Sequence, residues 1–270
     1  MKRSLFSLLV LWSCAAAPLG AEGADAAPEG AVKIRPKADP DASPEADSRV
    51  SLLQPDTDLI DAPSSAVLDY GGYSARTRFF SSGGVLQYIS FGVFNRLNIG
   101  ASLNIDKFIG REKPTRVRSP NVQVKYRFYE GTRALPSLAF GYDGQGWLYN
   151  QGNRRYNQRQ RGFFVAATQE LGLPGLQLHP SLNISDFDTN SIFAALPLSL
   201  NIQDKVNLML EWDAVNNFLD SRLNAALRVY LTSAVHIDFA LRSIGQGALF
   251  SDGTPRGPER VVQIKYSGNF

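Results

Sequence analysis

The stretch VVQIKYSGNF, residues 261–270, alternates apolar and polar side chains with a period of two. Val262, Ile264, Tyr266 and Phe270 share one parity, and the residues between them are polar or glycine. Such alternation is typical of a β-strand that separates two different environments. The question for the remaining residues is how many strands of this kind the chain contains and how they are connected.

The same alternation recurs from Val67 onward, and it is clearest in residues 97–106, 122–128, 176–184 and 223–231. No segment has the periodicity of an amphipathic helix. We count about twelve candidate strands of about ten residues, the length of a tilted strand that crosses a bilayer. They begin near residues 67, 85, 97, 121, 135, 162, 175, 191, 205, 222, 234 and 259.

The connections between these strands fall into two classes. If the first strand runs outward, the inner turns are short, at FNRL, YEGTRAL, GLPG, QDK and TSA. Three long polar connections, at residues 109–120, 148–161 and 245–258, all fall on the opposite side. Short turns at one end and long loops at the other are typical of outer-membrane barrels.

A water-soluble β-sandwich would also alternate, but its polar face would be rich in Lys and Glu. Here the polar face is mostly Asn, Ser, Gly, Gln and Thr, as expected of a barrel lumen. Aromatic residues gather near strand ends on the apolar face, where they suit interfacial girdles: Phe79, Phe94, Tyr126, Phe128, Trp147, Phe163, Trp212 and Phe239. We therefore predict that residues 65–270 form an all-β fold, a transmembrane antiparallel up-and-down β-barrel.

The N-terminal region has a different composition. Residues 1–21 combine two cations, a short apolar run and small residues, which predicts a signal peptide. Cys14, the only cysteine, follows that run as in a bacterial lipobox, so it is either lipidated or discarded with the leader. Residues 22–64 are rich in Ala, Pro, Asp and Glu and predict a disordered periplasmic tether. The more apolar residues 50–63, VSLLQPDTDLIDAP, either dock elsewhere or simply lead into the first strand.

Two parts of the sequence resemble features of known proteins. The last strand, with Val262, Ile264, Tyr266 and Phe270, resembles the signal read by the barrel assembly machinery. The phrases LIDAP, VLDYGGY, RFFSSGGVLQYISFGVFNRLNIG and PSLAFGYDGQG, between Leu59 and Trp147, resemble the YjbH-like group of outer-membrane proteins. That group is associated with exopolysaccharide gene clusters and is often lipidated, which implies location in the bacterial outer membrane and an association with polysaccharide or periplasmic envelope proteins.

Charged residues recur on the parity assigned to the lumen. We expect a network of them there, comprising Lys125, Arg127, Glu211, Asp213, Arg228, Asp238, Arg242 and Lys265. Glu211 and Asp213 are predicted to face Arg228, and Asp238 to lie between Arg228 and Lys265. The network is either a structural set of ion pairs or a device that selects solutes.

Two of the long outer loops are basic. Their cations are Arg111, Lys113, Arg116 and Arg118 in one loop and Arg154, Arg155, Arg159 and Arg161 in the next. Guanidinium groups bind phosphate and carboxylate, so these loops either hold lipopolysaccharide or acidic glycans or are solvated charge without a ligand. Binding of nucleic acid is not expected, because no known binding module is present.

Catalysis is not expected from this sequence. His179 and Ser181 have the His-x-Ser spacing of the outer-membrane phospholipase, but their parity is that of the lumen and Pro180 departs from that pattern. With two histidines and one cysteine the chain offers little material for a metal site, and we expect no cofactor. Two functions remain open: a non-catalytic envelope or exopolysaccharide-associated scaffold, and a small channel for polar or anionic solutes.

Overall fold

The computed structural model describes most of the chain after residue 52. The described residues are 53–80, 83–111, 114–132, 134–150, 152, 155–158, 162–184, 192–216, 221–247 and 257–270. All of them belong to one compact unit. Among them no helix is long and apolar enough to cross a membrane.

The regular elements of these residues are β-strands. The first eight are β1 (Gly72–Phe80), β2 (Gly84–Phe94), β3 (Leu97–Asp106), β4 (Arg116–Val117), β5 (Asn121–Tyr129), β6 (Ser137–Asp143), β7 (Trp147–Asn150) and β8 (Arg155–Gln158). The others are β9 (Phe163–Glu170), β10 (Leu176–Leu178), β11 (Ser181–Ile184), β12 (Ile192–Ile202), β13 (Val206–Asp213), β14 (Arg222–Tyr230), β15 (Val235–Ile244) and β16 (Glu259–Asn269).

Twelve strand positions form a closed antiparallel ring, with β10 and β11 counting as one strand interrupted at residues 179–180. β12 pairs with β13 on one side of the ring, and β1 pairs with β16 along its whole length from Gly72↔Asn269 to Phe80↔Val261. Closure leaves no unpaired sheet edge, which is the condition for a sheet to exist in lipid. The predicted barrel is confirmed, although β1 begins at Gly72 rather than near residue 67.

Burial alternates along the strands as the sequence pattern predicted. Buried and exposed side chains alternate along β16. Gln263 and Lys265 point inward, whereas Ile264 and Tyr266 point outward and are 42% and 47% exposed. An apolar outer surface of this extent is unfavourable in water and is required in a bilayer core. The protein is therefore an outer-membrane β-barrel of a bacterial cell.

The outer surface also carries most of the predicted aromatic side chains. Those exposed there are Phe94, Tyr126, Phe128, Phe163, Trp212 and Phe239. Trp147 lies instead in β7, which pairs with β8 in a separate two-stranded sheet. The long connections are thus not wholly irregular, because β4 likewise pairs with the end of β3.

The two rims of the barrel differ. One rim, here called the turn end, carries the short connections such as residues 95–96 and 203–205 together with the start of β1 and the end of β16. The opposite rim, here called the long-loop end, carries the connections that precede β5, β9 and β16. Outer-membrane barrels place their short turns on the periplasmic side.

Candidate functional site

The lumen contains a segment that is not part of the wall. Residues 56–65, DTDLIDAPSS, form a tight hairpin in which the Leu59 amide donates to the Ala62 carbonyl at 3.1 Å and the Ser64 amide to the Thr57 carbonyl at 3.3 Å. We call these residues the luminal hairpin. Their partners are inward-facing residues of β1, β5, β6, β9, β13, β14 and β15, so the hairpin lies inside the ring.

This placement corrects the sequence prediction for the N-terminal region. Residues 53–64 were assigned to a disordered tether, but they are packed in the barrel unit, where Leu59 and Asp61 are 2% and 1% exposed. The part of residues 50–63 that the structure describes therefore docks, one of the two alternatives that the sequence left open. Low apolar content misled the prediction, because the hairpin is held largely by charge and hydrogen bonds.

The tip of the hairpin has an apolar contact surface. Leu59 and Ile60 pack in a buried cluster with residues that point inward from β1, β2, β13, β15 and β16: Phe80, Leu86, Tyr88, Met209, Ala240 and Val261. These wall residues are exceptions to the polar lining. Burying two aliphatic side chains in them contributes about 1.5–3 kcal/mol each relative to exposure.

Beside this cluster, Asp61 binds two arginines. Its Oδ1 accepts from Arg78 Nη1 at 2.8 Å and its Oδ2 from Arg242 Nε at 2.6 Å, while Arg242 Nη2 lies 2.5 Å from the same oxygen. The backbone amides of Asp61 and Ala62 donate to the Glu211 carboxylate. The turn is therefore bound both through the Asp61 carboxylate and through its backbone amides, at a site that is almost fully buried.

The first arm of the hairpin carries two further carboxylates. Asp56 forms an ion pair with Arg228 at 2.5 Å and accepts from the Tyr230 hydroxyl at 2.7 Å, and Asp58 lies 3.2 Å from Arg76 Nη1. Burial raises the pKa of the Asp56 carboxyl, but the charges of Arg228 and Lys265 lower it by more, so its pKa lies below the ordinary value. Asp56 is thus held in its charged form.

We call Arg76, Arg78, Arg228 and Arg242 the arginine cluster. They are 6%, 2%, 1% and 1% exposed, and each binds a hairpin carboxylate. Two of them also have a carboxylate from the wall, since Arg228 Nε lies 2.7 Å from Asp238 and Arg242 Nη1 2.5 Å from Glu259. The hairpin therefore supplies three carboxylates, from Asp56, Asp58 and Asp61, to four guanidinium groups.

The second arm contacts the opposite part of the ring through neutral groups. The Ser65 amide donates to Thr168 Oγ1 at 3.1 Å, and the Ser65 and Ser137 hydroxyl oxygens lie 2.6 Å apart. Between the two sides, Lys125 Nζ donates to the carbonyls of Thr57 and Ala66. The hairpin consequently reaches across the lumen.

Two small cavities lie beside the hairpin among the described residues. A cavity of about 40 Å³ is bounded by the hairpin at Asp58 and by Arg76, Asn98, Lys125 and Asp143 of the wall. A second, of about 10 Å³, lies near Arg228 and Lys265. Because a single water needs about 10–15 Å³ on this scale, these cavities hold a few waters and not a solute.

The hairpin enters and leaves the lumen at the turn end. Asp56 is bonded to Tyr230, the last residue of β14, and residues 66–71 lead directly into β1. The chain passes β2 at Gly92, whose carbonyl accepts from the Gly71 amide at 2.9 Å. A Cβ atom at Gly92 would lie 2.0 Å from the Asp69 carbonyl oxygen, so only glycine fits at this crossing.

The structure brings most of the predicted lumen charges inward but pairs them differently. Arg228 does bind Asp238, whereas Glu211 binds the hairpin backbone rather than Arg228. Asp213 accepts from Asn224 at 2.8 Å and lies 4.0 Å from Arg222. Lys265 is buried, opposite Arg76 in the β1–β16 register. Arg127 is outside this network, because it lies at the turn end, 3.8 Å from Glu130.

The basic loops are only partly described. Arg111 is exposed, Arg116 lies in β4, and Arg118 is paired with Asp106 and stacks on the Tyr149 ring at 4.1 Å. Arg155 lies in β8. Lys113, Arg154, Arg159 and Arg161 are outside the described residues, as is Cys14, so anion binding by these loops and lipidation of Cys14 stay predictions.

His179 and Ser181 both face the lumen, 4% and 3% exposed. The two His179 ring nitrogens lie 3.0 Å from the Thr168 hydroxyl and 2.9 Å from the Ser199 hydroxyl. The histidine is thus engaged by these neighbours and does not approach lipid. In the last strand, Val262, Ile264, Tyr266 and Phe270 point outward, which agrees with the predicted parity, while their role as an assembly signal stays a prediction.

Comparison with known proteins gave matches among solved structures alone: no family model matches the chain, and no curated protein matches it in sequence. An outer membrane channel from Pseudomonas putida F1 matches with a TM-score of 0.46 and 11% identity, over 78% of this chain and 100% of that one. The NanC porin matches with a TM-score of 0.43 and 10% identity, over 73% of this chain and 99% of that one. Omp33 of Acinetobacter baumannii matches with a TM-score of 0.39 and 10% identity, over 75% of this chain and 99% of that one. At these identities the likeness concerns the fold alone.

Proposed function

We propose that this protein is a non-catalytic outer-membrane channel that its own luminal hairpin holds closed. The observation that carries the proposal is the hairpin itself, a segment of ten residues that lies across the lumen without pairing as a strand of the wall. Its bonds to the wall are ion pairs and hydrogen bonds between side chains and turn groups. Such bonds exchange for water when the segment moves, whereas a wall strand would have to break its ladder.

The wall behind the hairpin also supports a channel. It is lined by buried charged and polar residues, including Lys125, Arg228 and Lys265. A barrel that served only as an anchor could fill its interior with interlocking apolar side chains at lower cost, because burying charges is expensive unless they are paired. A lumen with a charged lining is what an aqueous path requires once the hairpin is displaced.

Single-channel recording of the full chain in a planar bilayer tests the proposal. We expect the wild-type barrel to be silent and the variant D56N/D58N/D61N to show discrete steps of conductance. The hairpin of the variant no longer presents negative charges to the four arginines that hold it. D69N/D204N, which neutralises two exposed aspartates at the turn end, is the matched control and should stay silent. Heat-dependent gel mobility establishes that each variant has folded.

Two outcomes would overturn the channel. One is a folded D56N/D58N/D61N barrel that never conducts, and the other is a wild-type barrel that conducts as often as the variant. The first would favour the second candidate, a closed scaffold of the exopolysaccharide-associated kind implied by the sequence resemblance. That candidate is favoured by the seven wall strands to which the hairpin is joined by hydrogen bonds or ion pairs.

A further inference from the structure

The arginine cluster is built around carboxylates. Four guanidinium groups converge from β1, β14 and β15, and the three hairpin aspartates that they bind lie within six residues of one another, at 56, 58 and 61. The Asp61 carboxylate receives donors on both oxygens, a geometry that guanidinium forks favour. The wall therefore binds a small group of negative charges presented together.

Displacement of the hairpin would remove from this cluster the three carboxylates of Asp56, Asp58 and Asp61. Asp238 and Glu259 would remain beside Arg228 and Arg242. Arg78 Nε would still donate to Gln263 Oε1, at 3.0 Å in this structure, and the Arg76 guanidinium would still lie over the Tyr88 ring, at 3.9 Å. Cations confined in a narrow lumen attract anions strongly, because the field is less screened there than at a surface.

We infer that the arginine cluster is a binding site for solutes that carry two or more carboxylates, and that the luminal hairpin is a tethered occupant which such a solute must displace. This inference rests on the proposed channel and names its solute class and its regulation. The hairpin and the solute compete for the same guanidinium groups, so a carboxylate solute both opens the lumen and enters it. A solute without charge has no means of displacing the aspartates.

Isothermal titration of the folded full chain with trigalacturonate, and with neutral maltotriose as control, tests the competition. We expect D56N/D58N/D61N to bind trigalacturonate about tenfold more tightly than the wild type, because the tethered competitor has lost its charge. Adding R78Q/R242Q to that variant should abolish this gain. Maltotriose should bind none of them measurably. If the triple variant does not fold, D61N alone makes the same comparison, because Asp61 contacts two of the four arginines.

Equal affinity of wild type and triple variant would overturn the inference, since the hairpin would then not compete. Unchanged affinity for trigalacturonate after R78Q/R242Q would also overturn the inference, because the ligand would then bind at another basic surface such as the outer loops. The channel itself is judged separately by conductance. A triple variant that conducts but shows no preference for anions and binds no trigalacturonate would leave the channel standing and remove the binding site.

Discussion

The luminal hairpin meets two walls of the barrel that differ in chemistry. The charged wall, β1 with β13 to β16, presents the arginine cluster, Glu211 and the apolar cluster around Ile60. The neutral wall, β9 to β12, presents residues such as Thr168 and Ser199, and among its described residues none that is charged is buried. One wall therefore binds the hairpin through ion pairs, and the other binds it through a neutral hydrogen bond. This asymmetry indicates that release of the hairpin is governed from the charged wall.

The largest effect should come from removing the two arginines that bind the tip. R78Q/R242Q leaves Asp61 buried without its guanidinium partners, and breaking such a buried pair costs about 3–5 kcal/mol. We expect the free energy of hairpin release to fall by that amount, measured by hydrogen exchange of the amides of Leu59, Asp61, Ala62 and Ser64, which are hydrogen-bonded in the hairpin. Amides of the β1–β2 ladder are the internal control. Unchanged protection of the hairpin would mean that the charged wall does not hold it.

Truncation of the apolar tip should have the second largest effect on hairpin release. Ile60→Ala removes a side chain that is 3% exposed, and such truncations cost about 2–5 kcal/mol in buried sites. Ile60→Val provides a graded control, because loss of one methylene costs about 0.5–1.5 kcal/mol. The same exchange experiment should rank the two variants in this order. Equal exchange in both would show that the tip is not packed in the cluster.

Glu211→Gln should have a smaller effect. Glu211 accepts from the Asp61 and Ala62 amides with both oxygens, whereas glutamine offers one oxygen, and we expect the free energy of hairpin release to fall by about 1–3 kcal/mol. Asp213→Asn, two residues along the same face of β13, is the control for a carboxylate bonded to the wall, because Asp213 accepts from Asn224. A larger effect of Asp213→Asn than of Glu211→Gln would contradict the assignment.

The smallest effect should come from the neutral wall. Thr168→Val removes the hydroxyl that accepts from the Ser65 amide and that also lies beside His179 Nδ1, and the bond to the hairpin is a single neutral one worth about 1 kcal/mol. Exchange at Ser65 should quicken while the amides of Asp61 and Ala62 stay protected. If Thr168→Val instead released the tip as readily as R78Q/R242Q does, the contrast between the two walls would be lost.

The wall of the barrel could be predicted from sequence, and the hairpin could not. Alternation with a period of two is a local signal, so strands such as β3 and β16 were located by their own residues. The hairpin has no such period, and its partners Arg228 and Arg242 lie far away along the chain. The available signal was the more apolar composition of residues 50–63, which includes Leu59 and Ile60 between two aspartates. Their spacing does not indicate where they bind.

The same limit explains why the pairing of the lumen charges was predicted only in part. Parity placed Glu211 and Arg228 inside, but parity does not indicate the height of a side chain along the barrel axis or what occupies the space between opposite walls. Glu211 is bound by the backbone of the hairpin, which alternation in β13 could not predict. Pairing across a lumen therefore requires the position of the luminal segment as well as the register of the strands.

The hairpin enters and leaves the lumen by the turn end, so it crosses one mouth of the barrel twice. A segment that doubles back through one mouth is not threaded, so the β1–β16 seam can zip shut before the hairpin is inserted. Insertion and withdrawal then require no strand to unpair and no knot to form. Ring closure and occlusion are thus separable events in the biogenesis of this barrel, and an empty ring is a permitted intermediate.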